Sequence, residues 1–169
     1  MARLFALDHN FPLPIVDVLS EFQESAELVP ISVIDERMPD LDDWEVLLAL
    51  ALHSRPFDGL ITTDSSMLNL PVELAVLLQT RLTLVVAMES GHNPVKATGL
   101  LFAYLANICV RTRHNQAQLW RLAAASNPAA NPWDAFSKIA EHQSRDASGL
   151  YEESKLSDEE LGTDPLRPE

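Results

Sequence analysis

The sequence is short of glycine, cysteine and basic residues, and each shortage excludes a class of site. Its five glycines are scattered, so neither a phosphate-binding glycine loop nor a dinucleotide fingerprint is present. The single cysteine, Cys109, cannot form an intrachain disulfide, and its place in an apolar run favours a buried thiol in a reducing compartment. No cluster of cysteine and histidine suggests a zinc site, and no Ser-His-Asp grouping has supporting context.

The chain is strongly acidic. It holds 25 aspartates and glutamates against 12 lysines and arginines, which gives a formal net charge of −13. This charge works against nonspecific binding of nucleic acid by a basic surface. Residues 141–169 contain nine acidic residues, three basic ones and few large apolar ones, and we predict an acidic, disordered tail there. Residues 1–140 are predicted to form one domain, with a helical extension that begins near residue 95.

No apolar run reaches the roughly 18 residues that a membrane-spanning helix needs. The opening stretch MARLFALDHNFPLP has only four consecutive apolar residues before an aspartate, far fewer than the apolar core of a signal peptide. We therefore expect a cytoplasmic protein without a membrane segment.

Short apolar runs alternate with helical patterns over the first 90 residues. Strands are predicted at residues 3–7, 28–34, 58–63 and 82–87, with a helix between each pair. Pro30 within the second run indicates an edge strand or a strand that begins late. The alternation predicts an α/β fold, a three-layer sandwich around a mainly parallel sheet of four or five strands, followed by C-terminal helices.

A long helical pattern runs from residue 95 to about residue 125, and its polar middle allows two helices. As a helix, it places four basic side chains on or beside one stripe: Arg111, Arg113, His114 and Arg121. This stripe is the best candidate for contact with a phosphate backbone or an acidic partner, and a solvated helix face is the alternative. Trp133 and Phe136 are predicted to anchor the last helix to the core.

Three aspartates are the most informative side chains: Asp8, Asp43 and Asp64. Asp8 and Asp64 follow predicted strands, and parallel α/β sheets bind ligands at the carboxyl ends of their strands. Asp43 begins a predicted helix and reaches the same edge if the N terminus of that helix points there. Converging carboxylates repel one another unless a cation neutralises them, and all-oxygen ligands favour Mg²⁺ or Mn²⁺. A metal-bound water at such a site can hydrolyse a phosphodiester.

The helix that begins at Asp43 carries several acids in its first turn. Asp42 and Glu45 have the spacing of a capping box, with Asp42 as the N-cap. Asp43 then stands at the first helical position, on a stripe shared with Leu47 and Leu50. A carboxylate on a buried stripe is costly without a partner, so a metal ion, a hydrogen-bond network or solvent should lie beside Asp43.

Two segments resemble PIN-like domains. LFALDHNFP is similar to the opening of that family, in which a first strand ends in an aspartate, followed two residues later by asparagine and then proline. DDWEVLLALALHSRPFDGLITTDSSML resembles the second block of the family, in which an acid opens an Ala/Leu-rich helix and the next strand ends in Thr-x-Asp. The resemblance covers residues 3–90 and is nearest to the short PIN-like group related to ribonuclease toxins.

The resemblance implies a metal-dependent ribonuclease, with RNA as substrate, Mg²⁺ or Mn²⁺ as cofactor and an antitoxin protein as partner. It places the catalytic, metal-binding positions on Asp8, Asp43 and Asp64. Supporting polar positions fall on three further residues: Asn10, Thr62 and Ser65. PIN ribonucleases often carry another acid between the two blocks, for which this chain offers three candidates: Asp35, Glu36 and Asp40.

Each aspartate also has a purely structural alternative. Asp64 could cap the turn after its strand, Asp8 could form a turn with Asn10, and Asp43 could be a solvated acid at a helix start. His9 is predicted to face away from Asp8, because neighbouring strand residues point to opposite faces.

Two other functions stay open on the sequence. A receiver-like signalling domain would use Asp64 as phosphoacceptor. Such domains have adjacent acids after their first strand and a lysine ending their fifth, a pattern that Asp8 alone and Lys96 in a helix do not match. A non-catalytic PIN-like module fits the acidic surface, with long helices that hold a partner or form a homo-oligomer.

Overall fold

A central sheet with helices on both faces forms the fold, as a computed structural model shows for residues 2–21, 23–124 and 129–167. The strands are β1 (Arg3–Leu7), β2 (Ala26–Pro30), β3 (Gly59–Thr62), β4 (Thr83–Ala87), β5 (Gln118–Leu122) and β6 (Ala129–Ala130). The helices are α1 (Leu13–Ser20), α2 (Ile31–Ile34), α3 (Asp43–Leu52), α4 (Pro71–Thr80), α5 (Pro94–Arg111), α6 (Pro132–His142), α7 (Ala147–Ser154) and α8 (Asp158–Leu161). Two short 3₁₀ helices lie at Met38–Asp40 and Ser65–Asn69.

The strands lie in the order β2-β1-β3-β4-β5-β6, and every neighbouring pair is parallel except β5 with β6. The predicted α/β fold with a mainly parallel sheet is confirmed. The predicted number of four or five strands is wrong, since the described residues form six. β2 lies at the edge of the sheet, as Pro30 predicted. The predicted bounds of 28–34 are wrong, because β2 ends at Pro30 and the residues after it form α2 instead of prolonging the strand.

The sheet separates two apolar cores, because successive strand residues point to opposite faces. On one face, α3, α4, α6 and α7 pack over strand residues that include Leu60, Leu84 and Leu119. On the other face, α1 and α5 pack over Phe5 and Val85. As predicted, α3 is buried on most of its circumference. No helix in the described part of the chain is long and apolar enough to cross a membrane.

The long helical pattern after residue 95 divides into a helix and a strand. α5 ends at Arg111, and β5 begins at Gln118, where the pattern predicts a second helix. β5 pairs with β4, and without β5 the strand β4 would be an exposed edge of the sheet. The five residues of β5 contain no signal that predicts this pairing. The predicted helical stripe of Arg111, Arg113, His114 and Arg121 is therefore wrong. Residue 125, the predicted end of the pattern, lies outside the described residues.

The acidic segment 141–169, predicted as a disordered tail, instead contains the end of α6 together with α7 and α8, and turns follow α8 as far as residue 167, where its description ends. Leu150 and Leu156 are buried against the core. The side chain of Gln79 in α4 exchanges two hydrogen bonds with the backbone of Leu156, at 3.2 and 3.1 Å. The composition of the segment predicted disorder because its apolar residues are few, but those few are placed where they reach the core.

Three aromatic rings join α6 to α7. Trp133 stacks on Phe136 with ring centroids 5.5 Å apart. Tyr151 of α7 meets both rings edge-on, at 5.6 and 5.7 Å. Phe136 is fully buried, so the prediction that Trp133 and Phe136 anchor the last predicted helix is confirmed.

Candidate functional site

The strand order reverses between β1 and β3. From β1 the chain passes through α1 to β2 on one side, and from there through α3 to β3 on the other side. Such a switch point opens a crevice at the carboxyl ends of the two strands, where α/β sheets bind their ligands. Asp8 directly follows β1, and Asp64 lies two residues beyond the end of β3. The sheet therefore places both aspartates at this crevice.

Asp8 is buried and held by three hydrogen-bonding groups. Its Oδ1 accepts a hydrogen bond of 2.7 Å from the backbone of His9 and lies 2.8 Å from Nδ1 of the same residue. Its Oδ2 accepts a bond of 2.6 Å from the hydroxyl of Thr62. The prediction that His9 faces away from Asp8 is wrong, because His9 lies in the turn after β1 rather than in the strand. Its ring is half-exposed beside the carboxylate.

Thr62 links the two strand-end aspartates. It is fully buried, and its Oγ1 donates to Asp8 and accepts a bond of 3.0 Å from the backbone of Asp64. Asp64 is half-buried, and its Oδ1 accepts a bond of 2.8 Å from the backbone of Ser66. Asp64 therefore caps the 3₁₀ helix that begins at Ser65, which confirms its structural alternative. A capping aspartate that uses one oxygen in this way keeps its second oxygen for another ligand.

Asp43 stands at the first position of α3, as the capping signals predict. Asp42 and Glu45 form the capping box, in which the backbone of Asp42 donates a bond of 2.9 Å to Glu45 Oε2. Asp43 is half-buried, and burial raises its pKa. The negative charges of Asp8 and Asp64 raise that pKa further, whereas His9 lowers it. The carboxylates of Asp8 and Asp64 therefore act electrostatically on the carboxyl of Asp43.

Glu73, in the first turn of α4, is a fourth carboxyl that the sequence reasoning missed. It is buried, and burial raises its pKa, to which the charges of Asp43 and Asp42 add. An acid two residues after Pro71, at the start of the helix that follows β3, was the available signal. Asp35, one of the acids considered for this role, is instead paired with Arg37 at 2.7 Å, and that bond lowers its pKa to about 2.

The donor set fits a hard divalent cation, although the carboxylates do not form a finished cage. Asp8, Asp43 and Asp64 offer only oxygen, the ligand type that Mg²⁺ and Mn²⁺ prefer. Within the described residues, no three histidine, cysteine, aspartate or glutamate side chains are arranged to hold a metal ion. Mutual repulsion keeps carboxylates apart until a cation neutralises them. Metal binding would therefore have to draw these side chains together.

The remaining predicted residues are dispersed. Asn10 is exposed in the turn after β1, and Ser65 is half-buried at the start of its 3₁₀ helix. Arg111, Arg113 and His114 lie at the opposite, amino-terminal edge of the sheet. At that edge, the side chain of Gln118 donates a hydrogen bond of 2.8 Å to the Arg111 carbonyl, and His114 lies 3.3 Å from Asp58. Arg121, the fourth basic residue of the predicted stripe, lies near the carboxyl end of β5.

Comparison with protein-family models, with curated proteins and with solved structures finds no match for this chain.

The receiver-like alternative requires a lysine at the end of the fifth strand. β5 contains no lysine and carries Arg121 instead.

Proposed function

We propose that this chain is a PIN-like, metal-dependent ribonuclease in which Asp8, Asp43 and Asp64 hold Mg²⁺ or Mn²⁺. Its role as the toxin of a toxin–antitoxin pair, controlled by an antitoxin protein, belongs to the same proposal. The observation that carries it is the pair of strand-end aspartates at the switch point, joined through the buried hydroxyl of Thr62. The raised pKa of Asp43 supports the inclusion of the third aspartate.

Asp8, Asp43 and Asp64 would hold the metal, which when bound would supply an activated water and stabilise the negative charge that develops on the phosphate. Thr62 fixes the Asp8 carboxylate and the start of the Asp64 loop relative to each other. His9, bonded to Asp8, can hold or pass a proton at Nδ1. Burial raises the pKa of Glu73, so its carboxyl keeps its proton to a higher pH than an exposed glutamate does.

Cleavage of RNA is the first test. Purified protein with Mn²⁺ should cut single-stranded RNA, and Asp64→Asn should reduce the rate by at least about a hundredfold, as loss of a group that stabilises the transition state does. Asparagine also caps helices well, so this variant should keep its fold. Asp17→Asn, which changes an exposed aspartate of α1, is the matched control and should cleave like the wild type. Cleavage that persists without metal, or in Asp64→Asn, would refute the proposal.

Binding of metal can be measured apart from catalysis. A ligand at a hundred times its Kd stabilises a folded protein by about 2.7 kcal/mol. Mn²⁺ should therefore raise the melting temperature of the wild type and of Asp17→Asn. The response should be lost in Asp43→Asn and Asp64→Asn. An equal response in all four proteins would place the metal elsewhere.

A non-catalytic binding module is the second candidate. It is favoured by the hydrogen bonding of Asp8, because each of its two carboxylate oxygens already has at least one partner within the protein. Such a module predicts no Mn²⁺-dependent rise in melting temperature and no cleavage of any RNA. The melting and cleavage experiments therefore separate the two candidates.

A further inference from the structure

A cavity of about 430 Å³ lies beside β5, β6 and α6. Its polar lining consists of four side chains: Arg121, Asn131, Asp134 and Lys138. The Nε atom of Arg121 is buried, and no hydrogen-bond partner for it exists in the part of the chain that the structure describes. A buried donor without a partner is costly, so the protein is more stable when a ligand or water accepts that bond. Nε of Arg121 can therefore donate a hydrogen bond to an acceptor that the described residues do not supply.

The charge of this cavity is opposite to that of the protein. Arg121 and Lys138 supply two positive charges against the single carboxylate of Asp134, in a chain whose formal net charge is −13. Neither cation takes part in an ion pair among the described residues. Asn131 uses its side-chain oxygen to cap α6, and its amide nitrogen is a further donor. Two cations and an amide suit an anionic ligand.

The register of the sheet puts Arg121 on the same face as Asp8. Thr62 pairs with Val86, and Val86 pairs with Arg121, so the three residues form one row across β3, β4 and β5. Paired residues of parallel strands point to the same face, and Val86 belongs to the core beneath α3, α4 and α6. At about 4.8 Å between neighbouring strands, Arg121 begins about 10 Å from Thr62, which holds Asp8.

We propose that the pocket of Arg121 and Lys138 binds a phosphate group, and that this phosphate belongs to the RNA chain whose cleaved bond lies at Asp8, Asp43 and Asp64. The guanidinium of arginine matches phosphate in geometry and keeps its charge at every physiological pH. An acidic protein that binds a polyanion needs such a local basic site. The RNA source rests on the proposed nuclease function, whereas affinity for phosphate does not.

Inorganic phosphate tests the pocket without metal or RNA. In a nitrogen-15 NMR titration, the Nε–H signal of Arg121 should shift and saturate. Lys138→Gln, an exposed substitution, should weaken the affinity at least about tenfold, as loss of a charge-assisted contact does. Asp134→Asn should tighten it, since one negative charge is removed. Arg113→Gln, which changes an exposed arginine at the other edge of the sheet, should leave the affinity unchanged. A weak, unsaturated drift of all arginine signals would overturn the proposal.

A short single-stranded RNA then tests the source of the phosphate. In fluorescence anisotropy without metal, Lys138→Gln and Arg121→Gln should weaken RNA binding, and each should reduce the slope of log affinity against log salt by about one. Saturable phosphate binding with unchanged RNA affinity would overturn the RNA assignment. Asp64→Asn should keep its phosphate affinity, so failure of the nuclease proposal and failure of this pocket are distinguishable.

Discussion

The hydroxyl of Thr62 donates a hydrogen bond of 2.6 Å to Oδ2 of Asp8, and both residues are buried. This bond crosses from β3 to the end of β1, so it joins the two strands that border the switch point. The same hydroxyl oxygen accepts a bond from the backbone of Asp64. One buried hydroxyl therefore organises both strand-end aspartates.

Replacing this hydroxyl should cost stability. Thr62→Val keeps the shape of the side chain but leaves a buried carboxylate oxygen and a backbone N–H without their partner, which costs about 1–3 kcal/mol for each unsatisfied group. Urea denaturation should show the loss as a lower midpoint with an unchanged slope. Thr163→Val is the control, because its exposed hydroxyl donates to the carbonyl of Glu159 just before it in the chain, and it should change stability by less than about 0.5 kcal/mol. Equal effects of the two variants would contradict the bridging role.

The stability of the protein should depend on pH through Glu73. Its pKa lies above the ordinary value of 4.5, first because of burial and also because of the charges of Asp43 and Asp42. A carboxyl whose pKa is raised by folding holds its proton more tightly in the folded state. Its contribution to stability is therefore lost as pH rises from about 4.5 through the folded-state pKa.

Glu73→Gln removes this titration. Its free energy of unfolding, relative to the wild type, should be higher at pH 7 than at pH 4, as measured by urea denaturation at both values. Glu21→Gln, which changes an exposed glutamate, should show no such difference. A Glu73→Gln effect of the same size at both pH values would mean that the carboxyl is not perturbed by folding.

The packing of the C-terminal helices can be tested with one leucine. Leu150→Ala should destabilise the whole domain by about 2–5 kcal/mol, the range for deleting a buried leucine side chain. Thermal unfolding should show a single transition at lower temperature. Val110→Ala, at a position 78% exposed on α5, should change stability by less than about 0.5 kcal/mol. If Leu150→Ala left the transition unchanged, the segment would not be packed on the core.

Two glycines should respond to alanine in opposite ways. A Cβ at Gly59 would collide with the carbonyl of Thr83 on the neighbouring strand, so Gly59→Ala should force β3 and β4 apart and lower stability severely. Gly99 lies within α5 with no atom near such a Cβ, so Gly99→Ala should stabilise the helix by about 0.5–1 kcal/mol. Urea denaturation of both variants measures the contrast, and a neutral Gly59→Ala would contradict the close approach of the strands.

Signals that act within a few residues were sufficient to predict where the aspartates of the candidate site stand relative to the strands and to the start of α3. The run ended by Asp8, the run ended by Thr-x-Asp at Asp64 and the capping box of Asp42 and Glu45 depend on alternation and on helix-start chemistry. These are properties of the local chain, and the structure contains each of them. The sequence by itself also determined the α/β class, because strands alternating with helices leave few other arrangements.

Tertiary structure decided what depends on residues far apart in the chain. Gln118–Leu122 becomes a strand because β4 offers it an edge, and Leu150 packs because α4 and α6 provide a surface for it. Glu73 lies near Asp43, and the hydroxyl of Thr62 reaches Asp8, only once the switch point is assembled. Burial and electrostatic coupling arise from packing across the sheet, which local periodicity and composition do not encode.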